Sequence, residues 1–236
     1  MPTFECMSGQ SENHVRLFEY GSVKAVVHPE MEPALKILAD AAKKQGFEVK
    51  VVSCFRSFDQ QLAIWNAKAC GKRPVLDILE RPIRKGTLHG WSLVEAILRW
   101  SALPGTSRHH WGSDLDIVDG AALAGGYKVQ LTQQETAPDG VFGAFHQWLT
   151  PWLVQNPEVG FTRPYSHESS AALHPSRYGV APEPWHLSYR PVAEACEKAY
   201  STGDLAALIA SSRIELKSDI LAHLDEIIER FVKVPT

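Results

Sequence analysis

The segment SRHHWGSDLDI, Ser107 to Ile117, brings two histidines and two aspartates into eleven residues. Neutral imidazole and carboxylate are the usual donors to a catalytic zinc ion, which takes three protein ligands and leaves a fourth position for water. His109 and Asp116 fit two of those places. Gly112 permits a turn between them, and the alternation in SDLDI sets Asp114 and Asp116 on the face opposite Leu115 and Ile117. His110, beside Trp111, competes with His109, and the bland alternative is a solvated, hydrogen-bonded loop. A second cluster shifts the balance. In EPWHLSY, Glu183 precedes His186 by three residues, and Pro184 bends the chain so that both could reach one ion. A carboxylate beside a metal-bound water is the group needed to take its proton, and zinc lowers the pKa of that water to about 7.

The elements around these clusters must bring them together. Tyr20 to Met31 reads as a strand or hairpin, and Leu35, Leu38, Ala41 and Ala42 fall at helical spacing before a stop at Gly46. Phe47, Val49 and Val51 then alternate as a strand. Ser57 offers an N-cap with Gln60 in the capping-box position, which puts Arg56 at a strand end and Gln61 in a first helical turn. Residues 71–87 read as a loop flanking the cleft, and residues 90–103 as helical. Residues 113–119, SDLDIVD, and the short aromatic run EPWHLSY, residues 183–189, read as neighbouring strands. Phe142, Phe145, Leu149 and Trp152 form one helical stripe. From Pro191 the chain reads as helical, with a break at Gly203 and a last helix from Ser218. The stripe Ile220, Leu221, Leu224, Ile227, Ile228 and Phe231 on that helix either packs on the core or forms a homodimer contact. Strands and helices do not alternate regularly, so an α+β class is expected.

Composition narrows the partners. Lys and Arg total 24 against 27 Asp and Glu, a net charge of -3 with no basic run along which a phosphate backbone could lie, so nucleic acid is not expected. Cys6, Cys54, Cys70 and Cys196 are scattered, without a C-x-x-C pair, and read as reduced thiols. No apolar stretch approaches a membrane span, and the first residues lack a basic head followed by an apolar run. The cytoplasm is the expected compartment, with the periplasm open if a leader was trimmed.

The order of motifs resembles a known family. The pattern S-x-H-x-x-G-x-A-x-D followed by E-x-x-H is that of the D-alanyl-D-alanine carboxypeptidase and dipeptidase family of zinc peptidases, of VanY and VanX types, which share the hedgehog signalling-domain fold. Here it is carried by Ser107, His109, Gly112 and Asp116, then by Glu183 and His186, and SCFRSFDQQ is similar to the family's S-G-Y-R-S-x-x-x-Q through Arg56 and Gln61. The resemblance covers roughly Val49 to Tyr189 and is nearest the VanY branch. Two residues depart from it: Asp114 stands where the family has a small residue, and Cys54 where it prefers glycine. Asp114 is expected to orient a ligand histidine or to add charge near the metal.

The resemblance implies a hedgehog/DD-peptidase-like antiparallel sheet with flanking helices; a catalytic domain over residues 1–200 is expected, and a helical extension over 201–236, which the resemblance does not cover, is expected to pack on it. It selects His109 over His110 and implies His109, Asp116 and His186 as zinc ligands, Glu183 as the base, Arg56 as the oxyanion partner, and Ser107 and Gln61 as holders of the terminal carboxylate. The implied reaction removes the terminal D-Ala from peptidoglycan-type stem peptides. An L,D-carboxypeptidase, a D,D-dipeptidase and a non-catalytic zinc-binding module are the alternatives on the same scaffold.

Overall fold

Alternating apolar residues build two antiparallel sheets. After a short helix α1 (Phe4–Met7), β1 (Arg16–Tyr20) and β2 (Val23–Val27) pair as a hairpin that buries Phe18, Val23, Ala25 and Val27. The hairpin thus reaches back to Arg16, beyond the segment its sequence pattern marks, because only Phe18 of β1 is buried. Helix α2 (Glu32–Lys44) packs Ala34, Leu35, Leu38 and Ala42 inward. The second sheet has the order β3-β4-β6-β5, all antiparallel, from β3 (Val49–Ser53), β4 (Asp114–Asp119), β5 (Phe161–Thr162) and β6 (His186–Tyr189). These strands come from three distant parts of the chain, and their order places residues 116 and 186 side by side. The computed structural model describes residues 2–166, 179–199 and 201–233, so His167 and His174, read from sequence as surface or hydrogen-bonded histidines, lie outside it.

The helices are α3 (Phe58–Ala69), α4 (Gly90–Leu98), α5 (Gln133–Thr136), α6 (Gly143–Gln155), α7 (Arg190–Ala199), α8 (Thr202–Ser211), α9 (Lys217–Ala222) and α10 (Leu224–Ile227). Ser57 and Gln60 form the expected capping box of α3. Gly203 is not a break: Ser201 caps α8 through the Asp204 amide, and the glycine sits inside the helix's first turn. The last helix starts at Lys217, one residue early, and is interrupted at His223.

Two large apolar clusters and a small one around Met7, Trp111, Val192, Ala193 and Cys196 fill the interior among the described residues. One large cluster joins the hairpin, α2, the larger sheet and α6 through residues such as Leu35, Leu38, Leu115, Ile117, Phe145, Leu149 and Leu187. The other joins α3 and α4 to the terminal helices through Trp65, Val94, Ile97, Leu205, Ile209, Ile220, Leu224, Ile227 and Phe231. The terminal stripe is therefore consumed within the chain, which leaves it no face for the homodimer contact considered above; Leu221 alone of that stripe is exposed, at 37%. Trp65 Nε1 donates to the Glu215 carbonyl at 3.0 Å, fastening α3 to the segment before α9. The four cysteines are free thiols. Among the described residues, no helix is long and apolar enough to cross a membrane.

Candidate active site

A short 3-10 turn (Arg108–Trp111) carries His109 and ends at Gly112, whose φ of 68° lies in the left-handed region. A Cβ at this position would come within 2.3 Å of Val15 Cγ1 and 2.9 Å of the His28 nitrogen, so only glycine fits both the conformation and the space. The chain then enters β4. Asp116 stands directly opposite His186, and Asp114 opposite Ser188, so these four side chains share one face of the sheet. Leu115, Ile117 and Leu187 fill the other face. The alternation is as expected, yet every residue of β4 is buried, because the turn and α7 cover the polar face as well.

His109, Asp116 and His186 converge. One ligand atom from each lies within 4.8 Å of the others. His109 Nε2 is 3.4 Å from Asp116 Oδ2, and His186 Nδ1 is 3.1 Å from Asp116 Oδ1. Donors held about 2.0–2.2 Å from a tetrahedral ion stand roughly 3.4 Å apart, so this spacing and the N, O, N donor set fit a zinc ion. Burial opposes charge on His186, but Asp114 and Asp116 outweigh it and lift the imidazole to about 10. Burial likewise raises Asp116, and His109 and His186 overcome it, holding the carboxyl well below the usual range. A buried carboxylate so compensated is ready to exchange a proton partner for a cation.

Glu183 enters the same space from the turn before β6. Its carbonyl accepts the His186 amide at 3.0 Å, and its Oε2 lies 3.5 Å from His186 Nδ1. Burial is the main cause that raises its pKa, to about 7; Asp116 adds to the rise, while His186, Arg56 and Lys68 oppose it.

Asp114 resolves into a definite place. Its Oδ1 lies 2.9 Å from His186 Nε2 and also accepts from Arg108 Nε at 2.9 Å, while Oδ2 accepts from the Ser113 hydroxyl. Arg108 is itself buried, bonded to Glu197 and, at 2.7 Å, to Ser188 Oγ, and lies over the Trp111 ring. Fixing Nε2–H on Asp114 turns Nδ1 of His186 toward Asp116 and Glu183. Removing such an outer partner typically costs 10–100-fold in metal affinity, so Asp114→Asn is expected to weaken zinc binding by about that factor in competition against a chromophoric chelator. Unchanged affinity would show that the contact does not set the ligand.

His110 points elsewhere. It is fully buried, its Nδ1 bonds the Arg56 carbonyl at 2.6 Å, and its Nε2 accepts the Gly105 amide at 3.1 Å. Burial pushes His110 down to about 3, and burial with Arg163 beside it does the same to His146. Both stay neutral in the fold, whereas in the unfolded chain they titrate near 6.5. The stability this confers is complete above about pH 6.5 and is lost as pH falls toward 3, by up to roughly 1.4 kcal/mol per pH unit for each histidine. Urea midpoints are therefore expected to drop between pH 7.5 and pH 5; a flat profile would rule this out.

Arg56 is held from all sides. Its amide donates to the His109 carbonyl at 3.1 Å, Nη1 to Gln61 Oε1 at 2.7 Å, and Nη2 to Ser53 Oγ at 2.8 Å. Gln61 is fully buried, and its Nε2 donates to the Ala102 carbonyl at 2.7 Å. It is not among the residues that line the cleft and meets the site through its bond to Arg56. Ser107 precedes the turn without a side-chain capping bond and lines the cleft.

The cleft, about 350 Å³, is also lined by Lys68, Arg73, Tyr165 and Trp185. The Tyr165 ring centroid lies 5.0 Å from that of His186. Tyr189 leaves the opposite face of β6 and packs on Phe161 at 5.8 Å. Sequence reasoning missed Tyr165 and Lys68, which belong to none of the motifs, and placed Arg73 only within the loop flanking the cleft.

A profile described as VanY, D-alanyl-D-alanine carboxypeptidase, matches residues 24–192. An uncharacterized protein of Haemophilus influenzae is 30% identical over 126 residues, covering 53% of this chain and 89% of that protein. A D-alanyl-D-alanine carboxypeptidase of Enterococcus faecalis is 28% identical over 174 residues, covering 73% of this chain and 51% of that protein, so the chain spans about half its length. Among solved structures, VanYB in complex with D-Alanine-D-Alanine superposes with a TM-score of 0.50 at 24% identity, covering 80% of this chain and 84% of the other, a likeness of fold.

Proposed function

The chain belongs to the D-alanyl-D-alanine carboxypeptidase (VanY) family, and from that premise we propose that it is a zinc-dependent carboxypeptidase that hydrolyses the terminal D-Ala-D-Ala bond of peptidoglycan-type stem peptides. The observation that carries the reading is the convergence of His109, Asp116 and His186 within 4.8 Å, with the Glu183 carboxylate 3.5 Å from His186. These three residues would hold the ion, and zinc there supplies Lewis acidity and lowers the pKa of water to about 7. Glu183 takes the proton of the attacking water and passes it to the leaving amine. Arg56, anchored by Gln61 and Ser53, presents a fixed charge to the oxyanion that develops on the carbonyl. Ser107, whose side chain makes no capping bond, offers its hydroxyl to the terminal carboxylate.

The test is to incubate zinc-loaded protein with defined tripeptide, tetrapeptide and pentapeptide stems and with free D-Ala-D-Ala and identify products by mass, with Glu183→Ala as control. Release of one D-Ala from the pentapeptide is expected. Release only from the tetrapeptide would move the activity to L,D, hydrolysis of free D-Ala-D-Ala but of no stem would move it to a D,D-dipeptidase, and silence on all of these substrates would reduce the fold to a binding module.

A further inference from the structure

The end of α3 and the loop after it concentrate positive charge. Five basic residues, Lys68, Lys72, Arg73, Arg84 and Lys85, line one groove of about 290 Å³, and no Asp or Glu lines it. The loop's two acids are engaged elsewhere: Asp77 pairs with Arg81 at 2.8 Å, and Glu80 accepts the Gln133 amide at 2.9 Å. None of the five groove cations forms an ion pair among the described residues. Val75, Ile83 and Leu93 give the groove an apolar floor. On a chain of net charge -3, such a patch is a local reversal of sign that draws anions.

The groove adjoins the catalytic cleft. Lys68 and Arg73 line both. Lys68 is half-buried; burial lowers its pKa to about 8, while Glu183 across the cleft opposes that fall. An ammonium placed there without an ion-pair partner among the described residues, on the wall that the two cavities share, is available to a ligand. Arg56 already faces the reacting end, so the groove offers a second positive pole at a separate location.

We propose that this groove is a substrate subsite for a carboxylate carried by the peptide upstream of the scissile bond, with Lys68 and Arg73 at its entrance, so that the preferred substrates are acidic peptides. The proposal rests on the carboxypeptidase reading for the direction of the peptide but not for the existence of the subsite. The experiment measures binding of the whole chain, zinc-loaded and carrying Glu183→Gln, to acetylated pentapeptides ending in D-Ala-D-Ala, in which Glu or Gln is placed in turn at each upstream position. At one position Glu is expected to bind roughly tenfold tighter than Gln at low salt, the scale of a charge-assisted contact, with the preference fading as salt rises. Adding Lys68→Met and Arg73→Gln should bring the Glu/Gln ratio close to one, and reversing the exposed Lys85 with Lys85→Glu should reduce it partially. No preference at any position, or a preference that survives the double substitution, overturns the subsite. Product mass with the wild-type protein on the same peptides separates the two readings. Charge-selective binding without hydrolysis removes the peptidase and leaves the subsite, and hydrolysis indifferent to charge does the reverse.

Discussion

Glu183→Gln is expected to lower kcat by about 10²–10⁴, the range general-base catalysis supplies, while zinc affinity changes little. The substitution keeps size and hydrogen-bonding capacity but removes the proton acceptor. Glu183 is proposed as the base and not as a ligand, because the three-residue cluster closes without it. Burial holds its pKa near 7, with Asp116 adding to the rise. A base must be ionised to act, so kcat/KM should fall as pH drops through this pKa. A divalent cation alongside favours the carboxylate, which puts the acid limb at or below 7 in the zinc-loaded enzyme. The pH profiles of both proteins check this, and a Gln variant with wild-type kcat would remove Glu183 from the mechanism.

His109→Ala and His110→Ala, neighbours in sequence, are expected to fail in opposite ways. Loss of His109 deletes one of three donors and should weaken zinc by more than about 100-fold, beyond the range seen for outer partners, with activity falling to background. Loss of His110 leaves the Gly105 amide and the Arg56 carbonyl without their buried partner. Each unsatisfied group costs about 1–3 kcal/mol, so urea denaturation should show a drop of roughly 2–5 kcal/mol, with zinc affinity within a few-fold of the wild type. Chelator competition and urea titration on the two variants decide the matter. The reverse pattern would mean that the turn presents the other imidazole to the ion.

Much of this site is written locally. The alternation Asp114, Leu115, Asp116, Ile117 sets which side chains share a face whatever the strand pairs with, and Gly112 marks the turn that precedes it. The Ser57 and Gln60 capping box likewise fixes where α3 begins and therefore where Arg56 stands. Such features depend on backbone geometry over a few residues, so sequence carries them. Family motifs extended that reach to Glu183 and His186, more than sixty residues away.

What a side chain touches across the fold was not legible. The burial of Gln61 and its bonds to Arg56 and the Ala102 carbonyl follow from the packing of α3 against a segment some forty residues away. The terminal stripe suited either a core or a partner chain, and only the arrangement of α3 and α4 opposite it decided that it packs inward. Asp114 could have oriented a histidine or only added charge near the ion, and the register of β4 against β6 set it beside His186 Nε2, with Arg108 to compensate its charge. Sequence by itself determined the donor types and the local faces, because these follow from chemistry and a two-residue repeat. Tertiary structure alone decided their partners and burial, because both depend on which distant segments the sheet and the helices bring within a few ångströms.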